Sequence, residues 1–368
     1  MKKICIIAPV HCYDDIRVFH KEAKSLVKYG YRVTIFAKAK HDFTQDNIRI
    51  KSLHYKNRIE RFLLIPGLVV KALKENADLY HIHNPETIVV GGVLKLLNKR
   101  VIYDCHENFI DKIDSREWIN NNLKFIFKKV VYYLEKVAGK IFDGVIVTQD
   151  DVKDRIGIKS VKIENPPIVG MLDKVKYENI EYNKEIKVCY IGSITEDRGI
   201  INVIKAIDII NKECSCKLNL AGPCEKLLMD KMKEIPGFKY VDYYGVLGQI
   251  EAFNLLANSN IGIITILDRG GYSRTNPNKL FEYMMFGKPF VASDFEEWKK
   301  AIHNKKAGLF VNPNNIEEIA EKIKKIYYEK ELYYEMSNEG KNFIKKEYNW
   351  EIEEKKLIAL YKKILRLE

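Results

Sequence analysis

The chain has 368 residues, 46% hydrophobic and 30% charged, a balance that excludes a disordered or low-complexity polymer and leaves room for two domains. Its formal charge of +12 calls for an anionic partner. With no zinc-finger spacing, RNP-like segment or basic zipper, nucleic acid is disfavoured against acidic lipid and phosphorylated substrates. Seven scattered cysteines, none in a Cys-x-x-Cys pair, point to a reducing cytoplasm and away from a zinc cluster. No apolar run approaches the ~20 residues that span a bilayer. The apolar start, Ile4 to Ala8, is too short for a signal peptide and reads as a buried first strand.

In chain order, the pattern predicts a strand at 3–8, a helix at 16–29 with Val18, Phe19, Ala23, Leu26 and Val27 on one side, and a strand at 31–37. Strands at 48–53, 79–83, 101–104 and 144–148 then alternate with helices at 63–76, 87–97 and 118–140. The alternation lapses near Pro166-Pro167. A polar stretch at 169–184 reads as a linker between domains 1–168 and 185–349. Strands at 187–191, 217–221, 238–242, 261–266, 289–293 and 307–311 follow, with helices among them, and 350–368 is helical and amphipathic. Such alternation implies α/β architecture with two doubly wound parallel sheets. Ligands bind beyond the carboxyl ends of strands in such sheets, so the loops there are the candidate sites.

The stretch from Asn276 to Pro289 carries the most chemistry. Asn276 or Asn278 can cap a helix, and Pro277 fits a first turn. Leu280, Met284 and Met285 recur on one face, and Glu282 among them needs a polar partner. A helix start beside Lys279 is an anion site. Together they suit a sugar nucleotide, with the diphosphate at the amides and Lys279 and the ribose hydroxyls on Glu282; a surface Glu on a packing helix is the plainer alternative. Gly192 and Ser193 follow a strand, and Arg198 reaches the same place as Lys279, so two cations can neutralise a leaving diphosphate. Without Gly-x-Gly-x-x-Gly, a nicotinamide enzyme is disfavoured.

In the first half, His106 ends a strand and can meet a sugar hydroxyl or a reacting group, or be purely structural. His81 and His83 share a strand face, but no third metal ligand can be assigned. His11, Asp14, Asp15 and Arg17 form a loop that suits acceptor binding, with helix capping by Asp14 or Asp15 as the alternative. On the long helix, Ile119, Leu123, Ile126, Phe127, Val130, Leu134 and Val137 form the predicted inward stripe. Trp118, Phe125 and Tyr132 lie opposite, among Lys128, Lys129 and Lys136. With Arg58, Arg61, Phe62 and Leu63 they resemble an interfacial contact with an anionic membrane; burial against neighbouring helices is the alternative.

These residues together resemble the retaining family 4 glycosyltransferases of the GT-B fold (glycosyl transferases group 1), over nearly the whole chain. His11 with Asp14-Asp15-Ile16-Arg17 looks like their N-terminal loop. Asp104-Cys105-His106 is similar to their Asp-x-His segment, whose His contacts the donor sugar. Gly192 to Arg198-Gly199 resembles the stretch that grips the diphosphate. Pro277 to Met284 with Gly287-Lys288-Pro289 is the most specific match; Glu282 corresponds to the second Glu of the family's Glu-x7-Glu, which binds the ribose, and Arg274 stands where the first often is. The resemblance implies two Rossmann-like domains facing each other across a cleft, with 350–368 packing back on the first. It implies a UDP-, GDP- or other nucleoside-diphosphate sugar as donor, and no metal or other cofactor. The expected catalytic residues are His106, Arg198 and Lys279. Donor binding is expected from Gly192, Ser193, Asn278, Glu282 and Arg274, and the acceptor side from His11, Asp15 and Arg17. The acceptor is expected to be a glycan or lipid-linked glycan at the inner face of the cell membrane. A sugar-nucleotide epimerase of the same architecture and a non-catalytic membrane-bound partner of another transferase are the rival readings.

Overall fold

A computed structural model describes residues 1–114, 119–157, 159–176, 185–269, 272–274 and 277–367, with the side chains of Asp114 and Arg274 outside that description. The chain divides into a unit of residues 1–165 and 350–368 and a unit of residues 166–349. The second half of the segment read as the linker, residues 177–184, lies outside the described residues, as do Trp118 and Asn276.

In the first unit, strands β1 (Lys3–Cys12), β2 (Arg32–Lys38), β3 (Phe43–Gln45), β4 (Ile48–Leu53), β5 (Leu79–His83), β6 (Val101–Cys105), β7 (Gly144–Val147) and β8 (Ser160–Lys162) form one sheet. Its order is β3-β4-β2-β1-β5-β6-β7-β8. All pairings are parallel except β3 with β4. Those two join through Asp46 and Asn47, both at positive φ, the signature of a tight hairpin turn. The sheet reverses direction of growth between β1 and β5, a switch point where the loops after both strands diverge. Side chains alternate across a strand. Tyr80, Ile82, Tyr103 and Cys105 therefore enter an apolar core on one face, while His81, His83 and Asp104, all buried, occupy the other. Over that second face runs the helix Trp350–Leu365, whose Tyr361 hydroxyl meets His81 Nδ1 at 2.7 Å. Trp350 donates from Nε1 to Ser25, and Ser25 donates to Glu354.

The long helix spans Asn121–Ile141 and corrects the predicted inward stripe. Leu123, Ile126, Phe127, Val130 and Val137 are exposed, while Ile119 is buried and Leu134 packs against the core; the buried residues of the helix are Glu135, Ala138 and Gly139. Glu135 is the anchor, accepting from Arg155 Nη2 at 2.7 Å and from the Cys105 thiol.

In the second unit, β9 (Ile186–Ile191), β10 (Cys216–Ala221), β11 (Val241–Tyr243), β12 (Ile261–Ile264), β13 (Phe290–Ser293) and β14 (Gly308–Val311) form an all-parallel sheet. The order is β11-β10-β9-β12-β13-β14, so the switch point lies between β9 and β12. Both faces are buried: Val188 and Tyr190 enter one apolar cluster and Cys189 the other. The helix Asn278–Met285 is seated by Tyr283, whose hydroxyl donates to Ile263 O at 2.9 Å and whose ring covers Gly262. A Cβ at Gly262 would stand 2.4 Å from that ring. Gly262→Ala is therefore expected to cost about 1–3 kcal/mol by overpacking, read as a lowered urea midpoint with unchanged m-value.

Candidate functional site

In the second unit the carboxyl ends of β9, β10 and β12 bring glycines against backbone. Gly192 (φ +152) and Gly222 (φ +139) stack so closely that a Cβ on Gly222 would stand 1.9 Å from Gly192 O. Gly199 (φ +70) opens the helix Ile200–Ile210 with its Cα pressed on Thr265 O. A side chain at any of the three meets backbone or a site cation. At Gly192 that cation is Lys279, whose Cε lies 2.7 Å from the place of a Cβ. Structure thus joins Gly192 to Lys279, predicted from separate stretches.

Asn278 is the first residue of its helix, not the cap; Pro277 precedes it, and no side chain caps the helix among the described residues. Its first amides keep donors and positive dipole available. Lys279 Nζ stands 3.8 Å from Glu282, and both side chains are about a quarter exposed. Arg198 lies over the Tyr272 ring at 4.9 Å, with Nε buried and without a hydrogen-bond partner among the described residues. Ser193 is exposed, and its carbonyl accepts from the Tyr190 hydroxyl. Burial pushes that phenol up to about 12, against the pull of Arg198. The Arg274 side chain lies outside the described residues. A separate cavity of about 540 Å³ at Lys187, Lys217, Asn219 and Tyr244 contains none of these residues.

In the first unit, Asp15 caps the segment Ile16–Ala23, accepting from the amides of Arg17 and Val18 with one oxygen and meeting His11 Nδ1 at 2.9 Å with the other. That segment is wound as a π-helix, so residues five apart share a face. Arg17 and Glu22 consequently both point inward. Arg17, expected on the acceptor side, is instead 4% exposed: Nε and Nη2 both donate to Asp104, at 3.0 and 2.8 Å, the carbonyls of Ile163 and Glu164 accept from Nη2 and Nη1, and Glu22 stands 3.1 Å from Nε. It positions the site and does not face a ligand.

His106 keeps a 10% exposed side chain, with Nδ1 3.3 Å from Asp104 Oδ1. Burial opposes the Asp104 charge, but Arg17 beside it holds the carboxyl well below the usual range. Burial and the Asp104 charge together raise Glu22. Burial lowers His81 to about 4 and holds His83 well below the usual imidazole range. Glu22 and Tyr361 escaped the sequence reading: a 3.6-residue period does not place Glu22 with Arg17, and nothing local links Tyr361 to His81, 280 residues away.

Two family models match the chain: Glycosyltransferase Family 4 at residues 17–161 and Glycosyl transferases group 1 at residues 185–329, together well over half its length. An uncharacterized glycosyltransferase of Methanocaldococcus jannaschii is 27% identical over 286 residues, covering 74% of this chain and 69% of that protein. Among solved structures, a sucrose-phosphate synthase from Thermosynechococcus elongatus superposes with a TM-score of 0.77 at 16% identity, over 100% of both chains. Anabaena HepE in complex with UDP-glucose does so with a TM-score of 0.69 at 13% identity, over 99% of this chain and 100% of that one.

The Asp15 geometry carries a pH signature. Burial tends to raise its carboxyl, and the His11 contact and the two amides more than offset this, bringing it from 3.8 down to about 2. Stability from a lowered acid is complete above its unfolded pKa and is lost as pH falls through the folded one. Asp15→Asn is expected to lose roughly 1–2 kcal/mol at pH 7. Between pH 4 and 2 its urea midpoint should fall less than that of the unaltered protein.

Proposed function

The chain belongs to the GT-B glycosyltransferases, and from that premise we propose that it moves a hexose from a nucleoside-diphosphate sugar, with retention, onto a glycan or lipid-linked glycan precursor of the cell surface. The carrying observation is Lys279 laid across Gly192 at the mouth of β9, beside a helix start that no side chain among the described residues caps. A diphosphate there meets backbone amides, the Lys279 ammonium and the Arg198 guanidinium, and the charge that develops as the glycosidic bond breaks is neutralised by groups already in place. No metal ion is needed for that step. Glu282, one turn into the helix, takes the ribose hydroxyls. HepE, solved with UDP-glucose, lends the donor class its support.

On the first unit, this reading gives His106 the contact with the transferred sugar and His11 and Asp15 the acceptor side. Asp104 holds the His106 ring in place, as a carboxylate behind an imidazole does. The acceptor is membrane-borne in this reading, because the helix Asn121–Ile141 exposes Leu123, Phe125, Ile126, Phe127, Val130 and Tyr133 among lysines. Ile59, Phe62 and Leu63 are exposed in the same unit. Among the described residues no helix is long and apolar enough to cross a membrane. An apolar face rimmed with lysine lies in the headgroup layer of an anionic leaflet, here the inner face of the cell membrane.

The experiment is a panel of UDP-, GDP- and other activated sugars with lipid extract, followed by nucleotide release and product mass. Release with a mass gain on lipid supports transfer; sugar isomerisation without acceptor shows an epimerase, and neither shows a non-catalytic partner. Arg198→Ala and Lys279→Ala are expected to lower kcat/KM by about 10²–10³, while Glu282→Ala raises the donor KM. Separately, Phe125→Asp with Ile126→Asp is expected to abolish co-sedimentation with anionic vesicles while preserving transfer to a soluble acceptor.

A further inference from the structure

The second unit also buries a lysine that the transfer reaction does not use. Lys288 is 8% exposed, between the buried Phe286 and Phe290. A buried ammonium ordinarily has a carboxylate or several carbonyls around it. Among the described residues Lys288 has neither a side-chain hydrogen bond nor an ion pair, and its charged neighbour is a second lysine, Lys341. Gly287 (φ +60) follows the helix Asn278–Met285, and Lys341 of the helix Lys330–Lys346 lies across it: a Cβ there would stand 2.8 Å from both Lys341 Cδ and Ser337 Oγ. The register of β12 and β13, Gly262 beside Phe290, sets Asn260 at the level of Lys288. Asn260 is 1% exposed, and its Nδ2 has no acceptor among the described residues. This edge of the unit gathers donors, and no described carboxylate pairs with Lys288 or Lys341.

We propose that Lys288 is a carbamylation site: its free amine adds to carbon dioxide, and Lys341 holds the carbamate that forms. The amine lone pair makes the nitrogen–carbon bond, one carbon–oxygen π pair moves onto oxygen, and a nitrogen proton leaves to water. The product is an N-carboxylate, with no other reagent consumed. A lysine becomes a nucleophile when it is desolvated or set beside another cation, and Lys288 is both. Burial and the Lys341 charge bring its amine down to about 8. That leaves roughly 300 times the free base of an ordinary lysine at neutral pH. Carbamylation turns two like charges into an ion pair and supplies acceptor oxygens to an edge rich in donors. Carbon dioxide is small and neutral, which suits a side chain this enclosed; an acyl thioester is far larger. The carbamate fastens the end of the helix that carries Lys279 and Glu282 to the helix Lys330–Lys346.

The test uses the full chain without sugar nucleotide, so its result is independent of the transferase reading. The protein is equilibrated with carbon-13 bicarbonate and carbon dioxide at neutral pH, trapped with triethyloxonium and digested with trypsin. The Lys288–Pro289 bond resists cleavage, so the modified lysine stays within the peptide of residues 280–299. The expected result is a labelled ethyl carbamate on that peptide, lost in Lys288→Arg, lowered several-fold in Lys341→Met and unchanged in Lys187→Met. Carbon dioxide is also expected to raise the midpoint of thermal unfolding of the unaltered protein and not of Lys288→Arg. Circular dichroism verifies folding; if Lys288→Arg does not fold, Lys341→Met decides, since that side chain is exposed. An unlabelled peptide, label spread equally over exposed lysines, label undiminished in Lys341→Met, or the same rise in midpoint with formate and no label would each overturn the assignment.

Discussion

The first unit depends on a guanidinium that has left water. Taking Arg17 to 4% exposure is tolerable only because Asp104 from β6 and the carbonyls of Ile163 and Glu164 beyond β8 accept its hydrogen bonds, with Glu22 of its own helix 3.1 Å away. These neighbours come from three parts of the chain, so one side chain ties a strand end, a helix and a later segment together. The π winding makes this possible by bringing positions five apart to one side. Asp104 in turn orients His106, and Asp15 both caps the same segment and holds His11. The site histidines thus stand at the ends of short charge chains that start in the core.

The second unit solves a different problem. An anion gains most from backbone amides when nothing lies between them, and Gly192, Gly199 and Gly222 remove what would intervene. Their positive φ values and the 1.9 Å approaches at Gly199 and Gly222 leave room for no other residue. Charge then comes from neighbouring side chains, Lys279 on the first turn of its helix and Arg198, the latter over the Tyr272 ring. One unit holds its site with buried ion pairs and the other with bare backbone.

The doubly wound architecture was legible because apolar strands and amphipathic helices alternate with little else between them. What escaped was short or non-local. β3 and β8 have three residues each, too few to show a period. The helix at 16–23 looks like an ordinary amphipathic helix until its extra residue per turn moves Glu22 inside. The Lys279–Gly192 contact joins a helix to a loop 87 positions earlier, and no local pattern encodes that distance. Motif content points both stretches at one diphosphate; only folding sets the contact between them.

The long helix shows where periodicity stops being informative. A repeat of apolar residues at helical spacing establishes that a face is apolar, not that protein covers it. Among its described contacts, the helix is anchored at Glu135 by Arg155 and Cys105 and by the close approach of Gly139 to Ile156. The exposed Leu123, Phe125, Ile126 and Val130 add nothing to that anchor, and each apolar side chain left in water forgoes roughly 1.5–3 kcal/mol of burial. Folding alone would favour polar residues there. The surplus of lysines around the same face removes aggregation with other apolar surfaces as the natural outcome and favours a surface that is both greasy and negative. A bilayer with acidic headgroups has both properties, and this is the physical basis of the membrane-borne acceptor we propose.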